Sequence, residues 1–105
     1  MLLSRLALAV PDTMTAFPIL NDKKAFGAGF VQLVVWQVAD PVPPSVHRFK
    51  YRLVYVVSGE RVVGYDNERG KGDPKHIGGK QLPYEFRDVL GLLEDFWNDT
   101  LEATR

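Results

Sequence analysis

The chain has 105 residues, no net charge, 46% hydrophobic side chains and no cysteine. That is enough for one domain with one modest core, and it excludes disulfides, thiolate nucleophiles and zinc–thiolate sites. No apolar run approaches the ~20 residues that a membrane helix needs, so a soluble, unexported, cytoplasmic protein is expected.

The zero total hides an asymmetry. Residues 1–47 are balanced, residues 48–80 carry a net charge of +4 and residues 81–105 carry −4. A basic half followed by an acidic tail suits a polyanion on one side and a basic partner on the other, because local fields steer association even when the total vanishes. Two ordinary solvated faces are the plain alternative.

In chain order, residues 1–13 read as a disordered or misassigned extension: Leu2 to Val10 is apolar but short, Pro11-Asp12 breaks it, and Met14 is a possible start. Residues 14–105 then form a single domain. Phe17-Pro18-Ile19-Leu20 suggests a short edge strand and Asn21-Asp22-Lys23-Lys24 a turn. Phe30 to Val38, rich in β-branched and aromatic residues, reads as a buried central strand. The prolines at 41, 43 and 44 make the next segment a stiff loop. Arg48 to Val57 alternates with period two, setting Phe49, Tyr51, Leu53, Tyr55 and Val57 on one face and Arg48, Lys50 and Arg52 on the other. Ser58-Gly59-Glu60 turns the chain and Arg61 to Asp66 returns, completing a hairpin.

Tyr65 to His76 follows, with carboxylates, cations and an imidazole in a glycine-rich stretch that cannot be core. Beyond it, Gly78-Gly79 and Pro83 punctuate the chain and Tyr84-Glu85-Phe86 suggests a last short strand. Asp88 then caps an amphipathic helix on which Val89, Leu92, Leu93, Phe96, Trp97 and Leu101 recur at helical spacing. The expected architecture is α+β, a small antiparallel sheet of about four to five strands with one C-terminal helix packed on one face.

The loop chemistry favours RNA over nucleotides or metals. Asp66, Asn67, Glu68 and Asp73 offer hard oxygen donors, but their spacing fits no EF-hand and neighbouring cations compete for them. Gly70-Lys71-Gly72 lacks the Walker spacing. Cleaving RNA through its own 2′-hydroxyl requires a proton carrier near neutral pH and cations for the phosphate. His76 is the natural proton carrier. Asp66, Lys71 and Lys75 complete the candidate catalytic set, Arg52 and Arg69 are candidate phosphate contacts, and Tyr65 and Asn67 are candidate RNA contacts, Tyr65 by stacking on a base. No cofactor or metal is expected. His47, beside the prolines, reads as structural or incidental. Taken singly, each residue also has a plain role as turn former or solvated charge; the clustering is what points to a site.

The stretches Tyr51–Val57, Tyr65–Asp73, His76–Gly79, Pro83–Phe86 and Asp95–Trp97, in this order and spacing, resemble the TumE-like toxins of prokaryotic toxin–antitoxin systems over about residues 30–100. The resemblance implies a small cytoplasmic toxin acting as a ribonuclease and neutralised by a helix-turn-helix antitoxin from a neighbouring gene. The family's Tyr-Asp-Asn signature falls on Tyr65, Asp66 and Asn67, and its downstream histidine on His76. One departure stands out: Pro74 occupies the place of a second histidine in the family's His-x-His pair. If both imidazoles are needed, this chain is weak or inactive, and the alternative is a non-catalytic module that binds nucleic acid or protein on its basic sheet face.

Overall fold

The computed structural model describes residues 16–105, so the segment read as an N-terminal extension lies outside the described residues. Six strands, β1 (Phe17–Phe26), β2 (Gly29–Gln37), β3 (Phe49–Val57), β4 (Glu60–Asp66), β5 (Pro74–Ile77) and β6 (Lys80–Pro83), precede a single described helix, α1 (Val89–Ala103). The strands form one antiparallel meander in the order β1-β2-β3-β4-β5-β6. The fold is α+β with a C-terminal helix, as expected, but with six strands rather than four or five.

Two corrections concern weak local signals overruled by pairing. Asn21 to Lys24, expected as a turn, continues β1, because each of these residues pairs with a residue of the apolar strand β2. Pro74–Ile77 and Lys80–Pro83, read as loop, form a hairpin around Gly78-Gly79, with Gly78 at a positive φ of 62° that a glycine adopts without strain. Tyr84 to Phe86 is irregular chain leading into the helix, not a strand. β2 is interior, while β3 and β4 occupy the middle of the sheet.

Alternation decides the faces. Val31, Leu33 and Val35 of β2, Tyr51, Leu53 and Tyr55 of β3, and Val63 and Tyr65 of β4 point to the helix side and form one core with Leu92 and Phe96. The helix begins as its sequence dictates: Asp88 is extended and its Oδ1 accepts from the Gly91 N–H at 2.7 Å. A Cβ on Gly91 would lie 2.8 Å from Arg87 Nη2 and 3.0 Å from Asp88 Oδ1, so Gly91, although a poor helix former, makes room for the cap. Leu101, assigned to the apolar face, is 51% exposed near the helix end.

Candidate functional site

The site is assembled where β4 runs out. Asn67 follows β4 directly and is fully buried. Its side chain continues the ladder that the backbone leaves off: Oδ1 accepts from the Tyr51 N–H at 3.0 Å and Nδ2 donates to the Phe49 carbonyl at 2.7 Å. The Lys50 ammonium donates to the Asn67 carbonyl. Asn67 therefore cannot contact RNA in this arrangement; it fixes the loop. The turn that follows closes between Glu68 and Gly72, and the Gly70 N–H donates to the Pro43 carbonyl at 2.7 Å, tying the loop to the proline segment.

Asp73 holds the base of the loop. Its carboxylate accepts from Ser45 Oγ, from the Tyr51 hydroxyl at 2.6 Å and from His47 Nε2 at 2.6 Å. His47 Nδ1 accepts from the Phe49 N–H at 3.2 Å, so the neutral ring carries its proton on Nε2 and spends it on Asp73. The imidazole lies on the Phe86 ring with centroids 3.8 Å apart. With only 12% and 11% of the His47 and Asp73 side chains exposed, this is a buried carboxylate satisfied by three donors, the condition under which such a charge is tolerated. Burial, and then the bond to Asp73, push the Tyr51 phenol far above its usual range. The serine bonds the aspartate and not the histidine, so the group is not a nucleophilic triad.

A second set of ties binds sheet to helix. Lys75 pairs with Tyr65 in the β4–β5 register, which puts both on the helix side. Lys75 Nζ lies 3.0 Å from Asp99 Oδ2, and the Tyr65 hydroxyl donates to the same oxygen. One turn earlier, Asp95 accepts from the Tyr84 hydroxyl at 2.6 Å and from Arg87 at 2.9 Å. Burial chiefly, and these carboxylates next, raise the Tyr65 and Tyr84 phenols. Tyr65 is 1% exposed, so the expectation that it stacks on a base is corrected: its ring is core and packs edge-on against Tyr84 and Phe96.

The other face gathers a different set. Arg52 stands directly opposite Asp66, and Gly64 stands opposite both Val54 and His76. Period two then places Arg52, Asp66 and His76 together on the side away from the helix, with His76 diagonal to Asp66 at about 7–8 Å between Cα atoms. Arg61 joins them, because a Cβ on Gly64 would come within 2.6 Å of Arg61 Cδ; only glycine lets that side chain lie across the sheet. Lys50 shares the face, its ammonium disfavoured mainly by burial and supported by Asp66 and Glu68, with a net lowering of its pKa. His76 is half-buried and its imidazole has no hydrogen-bond partner among the described residues.

Of the residues singled out in the sequence, the fold thus brings Arg52, Asp66 and His76 to one face. Lys75, Tyr65 and Asn67 lie elsewhere, on the helix side and beneath the loop. Arg69 and Lys71 sit on the exposed loop, Lys71 4.0 Å from Glu68 and beside a groove of about 410 Å³ that Asp73, Pro74 and Tyr84 also line. The Ser45–His47–Tyr51–Asp73 cluster escaped the sequence reading, although alternation had placed Tyr51 in the core, where a phenol needs an acceptor. That acceptor, 22 positions along the chain, carries no local signal.

Comparison with known families adds one finding. The family model described as toxin TumE matches residues 6–105, nearly the whole chain. No curated protein and no solved structure matches it.

Proposed function

This chain belongs to the TumE toxin family, a role that implies an antitoxin partner, and from that premise we propose that it is a ribonuclease whose working face is the open side of the sheet. The observation that carries the reading is the register that sets Arg52 and Asp66 on one rung and His76, on the next strand, diagonal to Asp66, all on the face opposite the helix, with the imidazole unpartnered among the described residues.

The chemistry needs few groups. His76 accepts the proton of a ribose 2′-hydroxyl; the freed oxygen attacks the adjacent phosphorus, forming the 2′-O–P bond as the P–O5′ bond breaks. The leaving 5′-oxygen takes a proton from the imidazolium or from water, giving a 2′,3′-cyclic phosphate and a 5′-hydroxyl. Arg52 holds the phosphate as charge builds on it, and Asp66 sets the local field for both cations and imidazole. Lys75 acts at one remove, by anchoring β5 to Asp99. Lys71 and Arg69 extend the phosphate track along the loop. The setting is the cytoplasm, and the partner is a helix-turn-helix antitoxin from a neighbouring gene. No helix among the described residues is long and apolar enough to cross a membrane.

A second reading is a non-catalytic binding module on the same face, and Pro74 favours it. Pro74 is buried opposite Pro83 in the β5–β6 pair, two residues from His76, so a histidine there would share its face. One imidazole remains where a His-x-His pair would supply two. Inducing the wild-type chain and His76→Ala side by side, with growth and total RNA followed in both, separates the readings. Arrest with RNA loss in the wild type only, at equal soluble expression, supports the ribonuclease. Arrest by both variants, with RNA intact, overturns it and leaves binding.

A further inference from the structure

The geometry points to single-stranded RNA, read along the sheet from His76 to a stacking platform at Trp36, as the substrate class of this face. The inference rests on the ribonuclease reading and adds to it a residue on a distant strand. Trp36 is on β2 directly opposite Lys50 of β3, and Val34, the next same-face residue of β2, is opposite Arg52. Since Val31, Leu33 and Val35 turn to the helix, Phe30, Gln32, Val34 and Trp36 all turn to the open side. Phe30 shares that side with Lys23, whose ammonium sits 4.5 Å above its ring. Along the open face, among the described strand residues, register therefore sets Lys23, Arg52, Arg61 and Lys50, whose ammonium the Asn67 carbonyl holds, against the strand carboxylate Asp66, with Glu68 of the loop acting on Lys50, and places Trp36 half-buried at the β2 end.

Cations that follow a backbone, with an aromatic ring on which any base stacks, form the usual platform for an unpaired strand. A duplex uses the cations only, because its bases are already stacked and a side chain cannot enter its deep, narrow major groove. Trp36 lies three strand spacings across the sheet from His76, about 14 Å, and four residues along it, since the rung of His76 meets β2 at Gln32; together these separate the two by about 20 Å, so the stacked base belongs to a nucleotide outside the scissile step. Trp36 is thereby a specificity-determining contact, not a catalytic residue.

The test titrates a fluorescently end-labelled, short mixed-sequence oligoribonucleotide, single-stranded or annealed to its complement, with the His76→Ala chain, which binds without cleaving, and follows the anisotropy of the label. The expected result is a rise in anisotropy with the single strand, with the duplex bound about tenfold more weakly. Adding Trp36→Ala or Trp36→Leu then lowers single-strand affinity about tenfold, and Trp36→Phe restores most of it. The leucine variant keeps an apolar side chain at the site, so loss of binding there is not loss of folding. Duplex bound as tightly as single strand, or an unchanged affinity in Trp36→Leu, overturns the inference. If in that case the wild type still degrades RNA, the ribonuclease reading survives alone. If the chain neither binds nor cleaves RNA of either form, both fall.

Discussion

The two faces of this sheet handle polar groups in opposite ways. On the helix side, each carboxylate that reaches inward is committed: Asp73 to Ser45, His47 and Tyr51, Asp99 to Lys75 and Tyr65, Asp95 to Tyr84 and Arg87. On the open side, Arg52 and Asp66 face each other across a rung without forming an ion pair and the His76 imidazole has no hydrogen-bond partner, among the described residues. A group with all its hydrogen bonds made holds a fold together. A group without them is available to a ligand, and on the proposed ribonuclease reading the working imidazole, His76, is of the second kind, although His47 has the more elaborate surroundings.

That contrast breaks first at His76. His76→Ala is expected to lower RNA cleavage by about 10²–10⁴-fold while the urea midpoint stays where it was; a large loss of stability with little change in cleavage would reverse the assignment of the faces. Asp73→Ala should do the opposite. It removes an acceptor from three donors and strands the buried Tyr51 hydroxyl, at a cost of about 3 kcal/mol in urea unfolding. Asn67→Ala comes next, at about 2 kcal/mol, because both its hydrogen bonds go to backbone groups of β3 that have no substitute; a neutral outcome would mean water takes over that end of the ladder.

Alkaline unfolding sharpens the comparison, since Tyr51, Tyr65 and Tyr84 all sit on the helix side with raised phenol pKa values. Above about pH 10 unfolded tyrosines release their protons while the folded ones keep theirs. The unfolded state then binds fewer protons and stability falls as pH rises. Lys50 acts with the opposite sign, adding stability between its lowered pKa and about 10.4, but it is one group against three. Urea midpoints at about pH 9 and pH 11 should show the decline, and Tyr84→Phe should make it shallower. The smallest effect is a gain: Thr100 Oγ1 is buried with no hydrogen-bond partner among the described residues, so Thr100→Val should raise stability by up to about 1 kcal/mol.

Strong periodicity was legible without the structure. The β3–β4 hairpin, the β2 strand and the capped helix follow from runs in which side-chain alternation or helical spacing repeats over several residues. β5, β6 and the second half of β1 were not legible, because Pro74, Pro83 and the polar Asn21–Lys24 carry turn chemistry locally and become strands only by pairing with a neighbour already in place. The candidate site divided along the same line. Composition marked the Tyr65–His76 stretch, yet Lys75 and His76, adjacent in sequence, leave the strand on opposite faces.

The α+β class, the hairpin that delivers Asp66, the capped amphipathic helix and the resemblance to the TumE toxins are all written in the order of residues, since each depends on residues close together or on a pattern along the chain. Which polar residues are partners depends on the folded arrangement. Asp73 meets Tyr51 and His47 across 22 and 26 positions, and Asp99 meets Tyr65 across 34. Hydrogen bonds act over about 3 Å of space, and separation along the chain has no bearing on that distance until the sheet has set its register.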